Sequence, residues 1–405
     1  MLRYIHLLNF RGEADEMLTQ ATPIDAIAAV SHPHPYPYYA SLVAEKPFFF
    51  DETLDTWIAS SAEAVTAVLT SDLCGVRPAG ETVPQKLVGS EAGDVFRHFV
   101  RVNDGHDHRR VKQAVAAAIG SIKAPLVMGK TFKYARSLLQ ANGLPATFTH
   151  QLSSYVIADL LGVSAGQLRW MSGLIHDFVR CVATESSATV VERGKVAAEQ
   201  LSSFFRSLLD ELDVQSSSSL LAAVRRELLQ AGCDDADVAV ANAIGFLFQA
   251  YEASAGLIGN CLLALSAERD VRDAASGDRG LSPSFVAEVI RYDSPVQNTR
   301  RYAHRSGSIL GAPIRSGEAI LVLLAAANRD PKANARADSF EVDRRDRRTF
   351  TFGLGPHACP GEILASTIAL EGAACVIRSG VDVASLAKSV RYRRSPNVRS
   401  PEFAR

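Results

Sequence analysis

The run Phe352-Gly353-Leu354-Gly355-Pro356-His357-Ala358-Cys359-Pro360-Gly361 constrains this chain more than any other stretch. One cysteine sits among glycines, two residues after a histidine, and a helical pattern from Glu362 to Val376 follows at once. Glycine accepts dihedrals that other residues resist and lets the backbone approach a flat ligand closely. The N–H groups of such a loop and of the helix start can then point at the sulfur and favour its thiolate. A free cysteine buried beside a turn is the commoner situation. It accounts for Cys359 alone, and not for the glycines, the histidine and the helix around it. Pro360 lacks an N–H. If that donor would have faced the sulfur, the thiolate here carries more charge; if not, nothing changes.

The rest of the composition narrows the class. Of 405 residues, 47% are hydrophobic, enough for a large core, and the expectation is one domain spanning 1–405. A net charge of −1 gives no sign of nucleic-acid binding. The cysteines at 74, 181, 233, 261, 359 and 375 are scattered without a CxxC pair. That argues against zinc sites and disulfides and for a reducing compartment. No apolar run reaches the ~20 residues of a membrane span. Met1 to Met17, with Arg3, Arg11, Glu13, Asp15 and Glu16, lacks the apolar core and cleavage site of a signal peptide. A soluble, cytoplasmic monomer is expected.

Helical periodicity runs through Ser60–Leu69, His108–Ala118, Thr149–Leu161, Val191–Leu212, Ser219–Ala231 and Asp235–Ser266. Strands are expected at Pro47–Phe50 and Trp57–Ser60, around a turn at 51–55, and at Ala319–Leu324. Gln215–Ser219 and Ala274–Gly280 read as loops. His32 and His34 alternate with prolines, which hold the segment extended and argue against a metal site.

A thiolate held in such a loop is a ligand for haem iron, and it pushes electron density towards O–O cleavage. The cysteine segment resembles the ligand loop of the cytochrome P450 family, Phe-x-x-Gly-x-His-x-Cys-x-Gly, at every fixed position. The resemblance extends to Glu288 and Arg291, which share a helix face and whose separation from Cys359 is typical of the family. It extends also to Asn328-Arg329-Asp330-Pro331 and Phe340 between them, and to the Pro-Tyr-rich run His32 to Tyr39, which resembles the entry that precedes the family's first helix. Alone, a Glu-x-x-Arg pair is usually a surface salt bridge of ~0–1 kcal/mol. In the family it is buried and bonded to a later arginine.

The resemblance implies a mainly α fold with a small β region, the cytochrome P450 triangular prism. Haem b lies between a long central helix and the cysteine-ligand loop. Cys359 is then the axial ligand. His108, Lys112, Arg301 and His357 match propionate-binding positions, and Phe352, Gly353 and Gly361 shape the loop's cofactor side. Lys112 replaces the more usual arginine and loses its bidentate fork. Leu87, Val88, Phe246, Ala250, Val296 and Gln297 would line a substrate pocket built from 73–95, 174–193, the long helix and 296–298.

The long helix departs from the family's Ala-Gly-x-(Asp/Glu)-Thr-(Thr/Ser). Glu252 keeps the acid, Ala253 replaces the threonine, and Gln249-Ala250 replace Ala-Gly. The threonine normally orders water and passes protons to the reacting oxygen, which alanine cannot do. Ser254 is turned about 100° away. Three explanations stand: a substrate hydroxyl orders the water, as in macrolide hydroxylases that carry Glu-Ala-Ser; the enzyme uses peroxide or performs oxidative coupling; or Gln249 orders water from one turn earlier. Gln249 can equally be a satisfied mid-helix amide.

The implied activity is monooxygenation of a small organic substrate with O₂, in secondary metabolism, the substrate free or carrier-bound. Alternatives are a peroxide-using or coupling enzyme on the same fold, and a haem-binding sensor or carrier without turnover. The chain has no dinucleotide or flavin fingerprint, so a ferredoxin and its reductase are the expected electron donors. Arg109, Arg110, Arg344, Arg345, Arg347 and Arg348 would form the docking face, steering an acidic partner. The plainer reading makes them solvated charge balanced by Asp343 and Asp346.

Overall fold

A computed structural model describes residues 22–403, apart from 82, 141–143, 145, 184–185 and 277–279. The reading of 1–17 therefore lies outside the described residues. Helices dominate. α1 (Tyr36–Glu45), α2 (Ala62–Leu69) and α3 (Glu91–Arg97) lead into α4 (Gly105–Gly120), α5 (Ala124–Gln140) and α6 (Phe148–Leu161). Then come α7 (Leu168–Val182), α8 (Ala188–Glu211), α9 (Leu220–Gln230) and α10 (Ala236–Ala267). α11 (Arg269–Ser276), α12 (Pro283–Tyr292), α13 (Leu324–Asn328) and α14 (Glu362–Arg378) complete the set. No single helix among the described residues is long and apolar enough to cross a membrane.

α10 is the axis of the helical layer. At 32 residues it is about 48 Å long. Asp235 caps it, accepting from the Asp237 N–H at 2.9 Å. It packs against α6, α8 and α14, and Leu257, Ile258, Cys261, Leu262 and Leu265 are fully or almost fully buried. A helix apolar on nearly all sides belongs in a core.

The β component stands to one side. β1 (Phe48–Asp51), β2 (Thr56–Ala59), β3 (Cys74–Gly75), β4 (Thr299–Ala303) and β7 (Ala319–Val322) form a sheet in the order β1-β2-β7-β4-β3, antiparallel except where β2 meets β7. The β1–β2 turn is set by Asp51, whose carboxylate accepts from the N–H groups of Thr53 and Leu54. Phe48 stacks on Trp57 across the pair at 5.1 Å. Two small hairpins follow: β5 (Gly307–Ile309) with β6 (Ala312–Ile314), and β8 (Val390–Tyr392) with β9 (Pro401–Phe403).

Two expected boundaries change. Residues 274–276 end α11 instead of opening a loop, because a basic-acidic run from Arg269 supports one more turn of helix. Tyr36 to Tyr39 form the first turn of α1 rather than preceding it. Pro37 is tolerated there because the N–H it lacks has no intrahelical partner at that position.

Candidate active site

The cysteine loop is held by its own backbone. Gly353 and Gly355 take φ of 69° and 66°, a region other residues avoid. Gly355 could not carry a side chain without crowding: a Cβ there would stand 3.2 Å from the Leu69 carbonyl. The Cys359 N–H donates to the Phe352 carbonyl at 2.8 Å, closing the loop. The Gly361 N–H points at Cys359 Sγ from 3.3 Å, as a loop built to favour a thiolate requires. Lys112, from α4, donates to the Ala358 carbonyl at 2.6 Å. Cys359 is exposed, whereas Cys181, Cys233, Cys261 and Cys375 are buried and Cys74 lies between. The commoner fate of a free cysteine therefore does not apply to it. Desolvation of the sulfur by the atoms packed around the loop raises its pKa even though part of the residue is accessible, opposed by the Gly361 N–H, Lys112 and Arg101.

Behind the loop lies a buried ionic network. Glu288 and Arg291 have no exposed side-chain surface. Glu288 accepts from Arg291 at 2.6 and 3.1 Å, from Arg344 at 3.3 Å, from Arg347 at 2.9 Å and from the Glu341 N–H at 2.9 Å. Arg291 also donates to the carbonyls of Ala337, Ser339 and Asn328. These donors hold the Glu288 carboxyl below its ordinary range against its own desolvation. Next to it, Asn328 accepts from the Phe350 N–H and donates to Ser294 and Thr351. The start of the cysteine segment is thereby fixed to α12 and α13.

Cations gather near the start of α4. His108 stacks on His357 at 4.3 Å, and His357 pairs with Asp104 at 2.9 Å. Burial, then the charges of His357 and Lys112, pushes His108 down to about 4. Its Nε2 is buried with no hydrogen-bond partner among the described residues. Arg301 on β4 is buried, and among the described residues its guanidinium donates to the neighbouring Arg300 carbonyl. Arg101, in the short turn Val100–Val102, is the residue that sequence reasoning missed. Desolvation pulls Arg101 down while Cys359 pulls it up, and its charge in turn repels Arg301. No spacing signal marks Arg101; only the folded chain brings it to the sulfur.

On the long helix, Phe246, Gln249, Ala250, Glu252 and Ala253 are partly accessible amid a buried helix, while Ser254 is buried at 5%. Ser254 therefore sits on the packed side. Gln249 donates one Nε2–H to the Gly245 carbonyl at 2.9 Å, which leaves its second N–H and its carbonyl oxygen to order water. Burial raises the Glu252 pKa.

Three expectations are corrected. Arg344 and Arg347 do not belong to an exposed docking face: they are 6% and 14% exposed and serve Glu288. Arg109, Arg345 and Arg348 are the exposed members, and Arg110 pairs with Asp107. Leu87 and Gln297 have no accessible surface, so they stand behind the pocket wall. Gln297 is held inward by the hydrogen bond that its side-chain amide donates to the Ser294 carbonyl. Val88 is 56% exposed, Val296 partly buried.

The family model described as Cytochrome P450 matches residues 146–377, more than half of the chain. The chain belongs to the cytochrome P450 family. The family's cofactor is haem b, ligated through iron by a cysteine thiolate. The residues of this P450 fit that group: an accessible Cys359 with a donor on its sulfur and, among the described residues, a His108 Nε2 without a hydrogen-bond partner and Arg101 and Arg301 without a carboxylate bonded to them. The chain is 27% identical over 349 residues to a biotin biosynthesis cytochrome P450 of Bacillus subtilis, covering 82% of this chain and 85% of that one. It is 27% identical over 367 residues to the 20-oxo-5-O-mycaminosyltylactone 23-monooxygenase of Streptomyces fradiae, covering 88% and 84%. The crystal structure of CalO2 shares the P450 fold with a TM-score of 0.77 at 24% identity, over 95% of this chain and 99% of that one. P450BioI in complex with an acyl carrier protein ligated to hexadec-9Z-enoic acid gives 0.76 at 24%, over 91% and 97%.

Proposed function

We propose that this P450 inserts one oxygen atom of O₂ into a small organic substrate of secondary metabolism, and that a hydroxyl of the substrate helps deliver protons. The observation that carries this reading is the accessible pair Glu252 and Ala253, an acid without the hydroxyl that normally relays from it. Haem, when bound, would supply the iron chemistry of O₂ activation. Cys359 would ligate it, and His108, Arg101 and Arg301 would meet its carboxylates. Lys112 braces the loop at Ala358 and contributes positive charge beside the sulfur. Glu252 holds a proton at its carboxyl, and ordered water or substrate carries it on. The named activity of the Streptomyces fradiae relative, on a glycosylated tylactone, supports a hydroxyl-bearing substrate. The carrier-protein complex of P450BioI supports a carrier-bound one. A ferredoxin, supplied by its reductase, would dock at Arg109, Arg345 and Arg348 and lose rate as salt rises.

The test compares product formed per NAD(P)H consumed. With a substrate analogue lacking hydroxyls, the wild type should leak reducing equivalents into peroxide, and Ala253→Thr should reduce the leak. Equal coupling with substrate and analogue in the wild type removes substrate assistance. Fast turnover on added peroxide alone would instead favour the second reading that Ala253 allows, a peroxide-using or coupling enzyme.

A further inference from the structure

Glu252 does not stand free in the wall of the site. Arg393, just beyond β8, brings Nη1 to 3.9 Å from Glu252 Oε1. The same guanidinium donates through Nε to Glu402 Oε1, on β9, at 2.8 Å. One cation thus serves two carboxylates. Glu402 is the wetter of them, at 47% exposed against 25% for Glu252.

The β8–β9 hairpin is seated on α10 and joined to the pocket wall. A Cβ at Gly256 would come 2.8 Å from the Arg399 carbonyl oxygen, and one at Gly259 would come 2.5 Å from Pro401 Cγ. Only glycine admits the hairpin there. Its turn is laced to 295–298: the Gln297 N–H donates to Asn397 O at 2.8 Å, Asn298 Nδ2 to Pro396 O at 2.8 Å, and the Arg399 N–H to Pro295 O at 2.7 Å. Val296 and Val398 form an antiparallel bridge. A molecule pressing on Val296 therefore acts on the turn that carries Arg393.

We propose that Arg393 is a positioning residue for Glu252, a latch that keeps the carboxylate ionised while Nη1 stays beside it and lets it take up a proton when the guanidinium is held by Glu402 alone. This rests on Glu252 being the acid of the proposed reaction. The step moves one proton: solvent gives it to the Glu252 carboxylate as the pairing is lost, and the carboxyl passes it on. No electrons move. Burial raises the Glu252 pKa, while Arg393 and then Arg180 oppose the rise. Tyr251 from α10, His150 from α6, His176, Asp177 and Arg180 from α7, and Arg193 from α8 complete the cluster. His176 Nδ1 lies 3.0 Å from the Tyr251 hydroxyl. Burial lowers both histidines, His150 to about 3, so near pH 7 neither competes with Arg393 for the carboxylate.

The experiment is an infrared pH titration of the ferric, haem-loaded protein without substrate, with Glu252→Gln used to assign the protonated carboxyl band. Arg393→Gln should raise the midpoint of that band by ~1 pH unit, because an opposite charge is lost. Glu402→Gln should lower it by a smaller amount, because Arg393 then has one carboxylate to serve. A purely structural role would not give shifts of opposite sign. If Arg393→Gln does not fold, Arg393→Lys should raise the midpoint by less, with Glu402→Gln still carrying the sign test. Shifts of one sign, or none in either variant, overturn the latch. The pH profile of peroxide released per NAD(P)H should follow the band. A moved band with an unmoved peroxide profile would support the latch and count against Glu252 as the proton source.

Discussion

Cys359→Ser is expected to abolish the red-shifted absorbance of the ferrous–CO complex while leaving the fold in place. The band depends on thiolate donation to iron, which a hydroxyl does not provide. The loop should survive because its closure uses backbone: the Cys359 N–H to Phe352 O bond and the positive φ values of Gly353 and Gly355 are independent of the sulfur. The Gly361 N–H would meet a hydroxyl oxygen instead of Sγ. Far-ultraviolet circular dichroism of the variant should therefore match the wild type. Retention of the shifted band would mean that another residue ligates the iron. Cys74 is the next candidate by accessibility, and it sits on β3 at the sheet edge.

Glu288→Ala is expected to be the most damaging change in the interior, more so than Arg291→Ala. Removing the carboxylate leaves Arg291, with no exposed surface, without an anion, and leaves the nearly buried Arg344 with Glu341 alone, at 3.5 Å. An uncompensated buried charge costs ~3–5 kcal/mol, a large part of the ~5–15 kcal/mol that holds a typical protein folded. Arg291→Ala leaves Glu288 still paired with Arg344 and Arg347. Its cost is then mainly that of a cavity and of three carbonyls, on Ala337, Ser339 and Asn328, that lose a donor. Haem bound per chain and the midpoint of thermal unfolding should fall further in Glu288→Ala than in Arg291→Ala. The reverse order would show that Arg344 and Arg347 do not share the charge.

What the sequence made legible is what lies close together along it. The cysteine loop reads directly because its turns demand glycine at 353 and 355 and its donor comes from Gly361. The Glu288–Arg291 pair reads from helical spacing. Arg344 and Arg347 were misplaced on the surface because an arginine-rich loop looks solvated until it folds back over α12, and nothing local marks which charges turn inward. The same limit explains Leu87 and Gln297: apolar or amide character says that a residue is inside, not on which side of a wall. Arg101 near the sulfur and Arg393 at Glu252 carry no local signal at all. Each is placed by packing between segments far apart in the chain.

Arg399 carries that last point furthest. Its buried guanidinium donates to the carbonyls of Val30, His32 and Pro33 and to Asp293, and the contact with Val30 spans 369 positions along the chain. Closing so long a loop costs much chain entropy before any bond returns it. Across small domains, folding slows as the mean sequence separation of contacts rises. The hairpin that rests in the Gly256–Gly259 notch and the N-terminal segment 30–33 are therefore fastened through one side chain, and losing that guanidinium would release both at once from the seam beside α10.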